Sequence, residues 1–194
     1  MSKYLYILDN GHGLNTKNKE SKVWRDGTQL KEYQFNRDVV KLLSFMLRQN
    51  RIDCKILVPE LKDIPIKSGR AVRVNEYAKR KDSIVISIHS NRFPPDKRVN
   101  GFETHYFARN GYESEKGKEI AKIFQKHLGK LGNDRGIKGS PFAILRWTDC
   151  PSILTENGFY TNETECKKLM SKDFQFDIAH KHYKAIQEIE DNYA

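Results

Sequence analysis

Gly11-His12-Gly13 and Ile88-His89-Ser90-Asn91 each place an imidazole just past an apolar run that reads as a β-strand. Strand ends hold side chains firmly, and in open α/β sheets sites gather beyond the carboxyl ends of the strands. If the two strands are parallel, both imidazoles emerge at one edge of the sheet. Glu32 falls in the first turn of the helix that follows strand one, where the helix dipole favours a carboxylate. Two imidazoles and one carboxylate with an open fourth position form a catalytic zinc arrangement. Glu156 ends the short strand Ser152–Leu154, and if that strand is parallel too, its carboxylate lands at the same edge as a base for an attacking water. Gly11 and Gly13 permit close backbone approach around His12. Asp9 and Asn91 are candidates for the outer hydrogen bonds that orient ligand imidazoles.

Taken singly, each residue has a plainer reading. A histidine after a strand is more often structural, Glu32 a solvated helix-start acid, and Glu156 a loop acid. Their joint placement at one expected sheet edge is what argues for a site. The other histidines lack that support: His127, His180 and His182 read as helix-surface residues, and His105 as packed or hydrogen-bonded mid-strand.

The elements that must position these residues follow from hydrophobic spacing. Tyr4 to Leu8 reads as a buried strand, and a long polar stretch runs from Asn10 to Thr28. Phe35, Val39, Leu42, Leu43, Met46 and Leu47 recur at helical spacing, predicting a helix from about Lys31 to Gln49. Strands are expected at Cys54–Val58, Ser83–Ile88, Phe102–Phe107, Phe142–Leu145 and Ser152–Leu154. Helices are expected around Ala71–Ala78, through Ile120–Leu128, and through Ala179–Ile189. Strand alternating with helix implies parallel pairing. The fold class is therefore α/β, a single-domain three-layer α/β/α sandwich with a mixed, mainly parallel sheet.

Composition narrows the function. A chain of 194 residues suits one domain, with 38% hydrophobic residues to build its core. No apolar run approaches the roughly 20 residues of a membrane span. The start is cut short by Asp9 and reads as a strand, not a signal segment, so the expectation is synthesis in the cytoplasm. Cys54, Cys150 and Cys166 are scattered and form no Cys-x-x-Cys pair, which reads as buried thiols, neither disulfides nor a cysteine metal site. The net charge of +10, from 35 basic and 25 acidic residues, favours a polyanionic partner: nucleic acid, an anionic membrane or an anionic wall polymer.

Six pieces, in order, resemble the zinc-dependent N-acetylmuramoyl-L-alanine amidases of the amidase-3 type. They are Asp9 to Gly13, Leu30-Lys31-Glu32, Arg73 to Ala78, Ser87 to Asn91, Gly101 to Thr104, and Pro151 to Phe159 with Asn162 behind it. Arg135-Gly136 and Leu145-Arg146 resemble weaker family motifs. The resemblance covers almost the whole chain and implies one catalytic domain over residues 1–194. It also implies Zn2+ on His12, Glu32 and His89, with Glu156 as catalytic acid/base. The implied reaction cleaves the amide between N-acetylmuramic acid and L-alanine of peptidoglycan, with Arg146 and Asn91 as substrate-binding candidates. The basic surface would then hold anionic wall polymer, with no nucleic-acid partner. The lack of an evident leader or added wall-binding segment has the look of a compact phage endolysin acting on the wall after release; a secreted cellular amidase whose leader was removed has the same look. Departures are Asn10 for proline, Asn157 for an apolar residue, His105 for an aromatic, and a charged loop from Gly13 to Glu32. Two alternatives stay open: a zinc hydrolase of another amide or peptide, and a basic non-enzymatic polymer-binding module.

Overall fold

A computed structural model describes residues 2–192 of the chain. β1 (Leu5–Asn10), β2 (Cys54–Ile56), β3 (Ser83–Asn91) and β7 (Ser152–Phe159) are parallel neighbours in the order β2-β1-β3-β7. β4 (Phe102–Arg109) then adds antiparallel to β7, and its far side pairs with β6 (Asp134–Ser140) and the two-residue β5 (Tyr112–Glu113). The mixed, mainly parallel sheet is as the alternating pattern implied.

Alternation along each strand divides the core into two. Tyr6, Leu8, Ile84, Ile86, Ile88 and Ile153 face one side, where α1 (Glu32–Gln49), α3 (Glu115–Leu128) and α6 (Lys172–Asn192) lie. The α1 stripe Phe35, Val39, Leu43, Leu47 is buried at four-residue steps, the spacing that keeps side chains on one helical face. Ile7, Val85 and Leu154 face the other side, where the cover is thin: α2 (Ala71–Ala78) and the four-residue α4 (Ala143–Arg146). Successive positions on that second face are Asp9 after Ile7, Ser87 and His89 after Val85, and Glu156 after Leu154. The apolar stripe thus turns polar at the carboxyl end of each strand, past the edge of the thin helical layer.

Several expectations are corrected. Phe142–Leu145 is not a strand; Ala143–Arg146 forms the helical turn α4, tucking Ile144 and Leu145 into the second core. An apolar run of four residues is too short for periodicity to tell strand from helix. β6 is hidden by its glycines and charges, and α5 (Glu163–Met170), capped by Asn162, is a helix that the hydrophobic spacing does not predict. β7 is longer than Ser152–Leu154, so Glu156 sits within the strand. The cysteines are free as expected, but only Cys166 is buried, with Cys54 and Cys150 half-buried. The stretch after β1 is ordered by a Glu20–Lys31 bridge and by buried Trp24.

His182 is not on the surface. It lies one turn from both Ile178 and Ile186 and is fully buried with them. Its Nδ1 donates to the Ile178 carbonyl at 2.8 Å, and its Nε2 accepts from the Thr155 hydroxyl at 3.0 Å. Burial drives its pKa from 6.5 down to about 4. His127 is largely covered and pairs with Glu188 at 2.8 Å.

Because the folded state holds His182 neutral while the unfolded chain protonates near pH 6.5, its contribution to stability is full above that value and is lost as pH falls toward 4. The loss is at most about 3 kcal/mol for a shift of this size. Urea unfolding at pH 7.5 and pH 5.0 should show a smaller drop for His182→Gln, whose amide offers a donor and an acceptor without titrating. An equal drop in variant and parent would contradict the assignment.

Candidate metal centre

His12, Glu32 and His89 come from three separate elements and offer one ligand atom each, all within 4.8 Å of one another. Glu32 Oε1 lies 3.0 Å from His89 Nδ1 and 3.3 Å from His12 Nε2. The two imidazoles meet nearly edge-on, at 86° with centroids 4.8 Å apart. Glu32 is buried, at 1% exposure, on the first turn of α1.

The sequence around His12 is shaped to aim both rings. His12 has φ +64°, the left-handed region that costs a non-glycine residue about 1–3 kcal/mol. Two arginines hold its carbonyl in that turn: Arg37 Nη1 at 3.0 Å and Arg70 Nη2 at 3.1 Å. A Cβ on Gly11 would fall 2.1 Å from the His89 ring. Gly11 is therefore needed for the passage of His89 rather than for the bend at His12.

Asp9 acts through a neighbour. Its Oδ2 accepts the Ser87 hydroxyl proton at 2.6 Å, and the Ser87 oxygen lies 3.2 Å from His89 Nε2. With the hydroxyl proton committed to Asp9, Ser87 can only accept from Nε2–H. That leaves the Nδ1 lone pair facing Glu32, the outer-sphere orientation of a ligand histidine. Asp9 Oδ1 is tied to Arg70, which also pairs with Asp63 at 2.7 Å.

Glu156 stands directly opposite His89 in the β3–β7 register and lines the same cleft, a cavity of about 490 Å³. One extra residue in β7 then shifts the register, with Gly158 at φ +76°. Asn157 meets this irregularity: its Nδ2 donates to the His89 carbonyl at 2.9 Å and to Thr155 Oγ1 at 3.1 Å. An apolar residue there would offer no donor to that carbonyl.

The electrostatics separate two kinds of carboxyl. Burial by itself would raise Glu32, but His12 and His89 outweigh it and hold the group well below the usual carboxylate range. Glu156 is pushed up to about 8 by burial; His89 opposes this, while Glu32 and Glu103 add to it. His12 is lowered by burial, and His89 is raised because Glu32 outweighs its desolvation.

The donor set fits a divalent ion. His12 Nε2, Glu32 Oε2 and Glu156 Oε2 are buried and make no hydrogen bond among the described residues. Buried polar atoms normally find partners. Two imidazole nitrogens and a carboxylate oxygen within 4.8 Å of one another, with unpartnered polar atoms beside them, suit a cation better than shared protons do.

Other candidates fall elsewhere. Arg146 is exposed, stacks over Trp147 at 4.7 Å and lines a separate cavity with Tyr112 and Pro151. Asn91 donates to Glu103 at 2.9 Å and lines a neighbouring cleft. Sequence reasoning missed Lys19, 3.8 Å from Glu32 Oε2, and the buried Tyr160 hydroxyl. It also missed Arg70, which lies just before the expected helix; Arg73, within the family-like segment, is half-exposed and bonds Glu60. Ser87 could have been found by its period-two spacing from His89.

A family profile described as N-acetylmuramoyl-L-alanine amidase matches residues 7–188. An endolysin of Bacillus phage SPP1 is 30% identical over 193 residues, covering 97% of this chain and 66% of that protein. The chain spans 66% or less of the length of the curated relatives it matches. An N-acetylmuramoyl-L-alanine amidase from Clostridium difficile 630 superposes with TM-score 0.84 at 28% identity, over 100% of both chains. The catalytic domain of CwlV, an amidase from Bacillus (Paenibacillus) polymyxa var. colistinus, gives TM-score 0.79 at 25% identity over 97% of this chain and 98% of that one. With its fold, the order of its motifs and its profile match in agreement, the chain belongs to the N-acetylmuramoyl-L-alanine amidase family, amidase-3 type.

Proposed function

We propose that residues 1–194 work as one catalytic domain, a zinc-dependent peptidoglycan hydrolase. It cuts the amide between the lactyl group of N-acetylmuramic acid and L-alanine of the stem peptide. The observation that carries this reading is the meeting of three ligand atoms within 4.8 Å beside a buried glutamate of raised pKa. Family membership supplies the substrate class.

His12 Nε2, His89 Nδ1 and Glu32 would hold the ion. A zinc ion there supplies Lewis acidity to the amide carbonyl and makes water more acidic. Ser87 and Asp9 keep the His89 lone pair turned inward, and Asn157 fixes its backbone carbonyl. Glu156 takes a proton from the attacking water and hands it to the leaving nitrogen, so the amide bond breaks to a carboxylate and an amine. Burial, Glu32 and Glu103 raise this carboxyl, and His89 and Lys19 oppose them. The balance suits a group that must both accept and release a proton near neutral pH. The positive surface, net +10, supports retention on anionic wall polymer once the enzyme reaches it. No helix among the described residues is long and apolar enough to cross a membrane.

Replacing His12 or His89 by Ala should abolish stoichiometric zinc, measured by elemental analysis after dialysis; full metal content in either variant would defeat the ligand assignment. Gly11→Ala should fold but bind zinc far more weakly, because the added methyl occupies the space of the His89 ring. An undiminished zinc titration would show that the ring is free to move. Glu156→Gln should keep its zinc and lose at least about 100-fold in rate, the scale of a positioned acid/base. The readout is mass spectrometry of digested wall, where the parent exposes new L-alanine amino termini; near-normal release by the variant would remove Glu156 from the mechanism.

A further inference from the structure

Beyond Glu156 the row of second-face side chains continues into a basic cleft that the hydrolysis itself does not use. Glu103 on β4 stands directly opposite Glu156 on β7, just as Glu156 stands opposite His89. Directly opposed residues project from the same face of a sheet. Glu103 is sealed, at 5% exposure, and its oxygens are saturated. Oε2 accepts from Arg135 Nε at 2.7 Å and from Lys138 Nζ at 2.5 Å. Oε1 accepts from Asn91 at 2.9 Å and lies 3.2 Å from His105 Nε2.

The two cations are far more open than the carboxylate that anchors them. Arg135 is 29% exposed and Lys138 40% exposed. Both line a cleft of about 340 Å³ together with Arg92, Phe93 and Phe159. Three cations against one buried carboxylate leave the cleft with surplus positive charge. Glu103 fixes the orientation of Arg135 and Lys138 in advance, and the Arg135 guanidinium sits 5.0 Å over the Phe159 ring. Fixed donors with aromatic walls suit a carboxylate carried on an organic chain.

The spacing relates this cleft to the cut bond. Strands in a sheet lie about 4.8 Å apart, so β6 is roughly 10 Å from β7; Lys138 pairs with His105 and is level with Leu154, two residues before Glu156, and its Nζ reaches back to Glu103. About three residues of extended peptide cover that distance. The lactyl carboxyl of the glycan is consumed in the amide, so the nearby free carboxylates belong to the peptide. We infer that Arg135, Lys138 and Arg92 form a subsite for a stem-peptide carboxylate within about three residues of the scissile amide, on the leaving-nitrogen side. Glu103 is the positioning residue beneath it. The inference rests on the peptidoglycan reading and adds a charge requirement to it.

The test uses the full chain with zinc and two synthetic muramyl tripeptides, one with free peptide carboxyls and one with every carboxyl converted to carboxamide. The free acid should be cut with kcat/KM about tenfold higher at low salt, the scale of a charge-assisted contact. That preference should shrink as added salt screens it. Lys138→Gln should bring the ratio toward one, mainly through KM, and Arg135→Lys should lower it in part. A ratio near one in the parent chain, or one that neither variant changes, overturns the subsite. Should a variant fail to fold, the salt series on the parent chain decides the matter alone. Calorimetric titration of the free tripeptide acid and of its amide into the parent chain separates the two readings. Charge-dependent binding with no muropeptide cleaved keeps the subsite and rejects the hydrolase; cleavage without charge dependence does the reverse.

Discussion

One buried guanidinium holds the site together. Arg70, only 3% exposed, pairs with Asp9 and Asp63 and donates to the carbonyls of Asn10, His12 and Ile64. A buried cation is tolerable only when its donors are matched by acceptors and its charge by anions. Desolvation works against its charge, and Asp9 and Asp63 overcome that, leaving the pKa raised. Both imidazoles depend on it. The His12 carbonyl is held in its left-handed turn, and Asp9 is held where it can command Ser87 and so the tautomer of His89. Arg37, donating to the same His12 carbonyl and to that of Glu60, braces the turn from α1.

The asymmetry of the two sheet faces explains why a site exists where it does. Three long helices cover the first face and complete its core. Among the described residues the second face is covered by α2, the helical turn Ile66–Arg70 that leads into it and α4, so its strands run out from under the cover before they end. There the same period-two alternation that buries Ile7, Val85 and Leu154 presents Asp9, Ser87, His89 and Glu156. Glu32 reaches this cluster from the opposite layer because α1 begins at the carboxyl edge of the sheet.

The row His89, Glu156, Glu103 across β3, β7 and β4 sets the charges against one another. Glu156, with His89 on one side and Glu103 on the other, is raised to about 8 by burial, with Glu32 and Glu103 adding to the shift. Glu103 escapes the same fate because His105, Lys138 and Arg135 overcome its burial and hold it well below the usual range. A single register thus yields one acid that gives up its proton reluctantly and one that is always charged, from identical side chains.

Much of this was legible in the chain. Strongly periodic segments announced themselves: the α1 stripe, the β-branched run of β3, and the parallel order of strands one to three. So did the convergence of His12, Glu32 and His89, because parallel strands oblige their ends to meet at one edge. Short or glycine-rich pieces did not: α4 looked like a strand, β6 like nothing at all, and His182 like surface. Residue order and side-chain period therefore determined the fold class and which side chains share an edge. Only the tertiary structure decided that Arg70 is the organiser, that Gly11 makes room for a ring 78 positions away in the chain, and that Glu156 is buried between His89 and Glu103. Those outcomes depend on burial, register and distances of a few ångströms between remote segments, and such quantities have no local signature in a sequence.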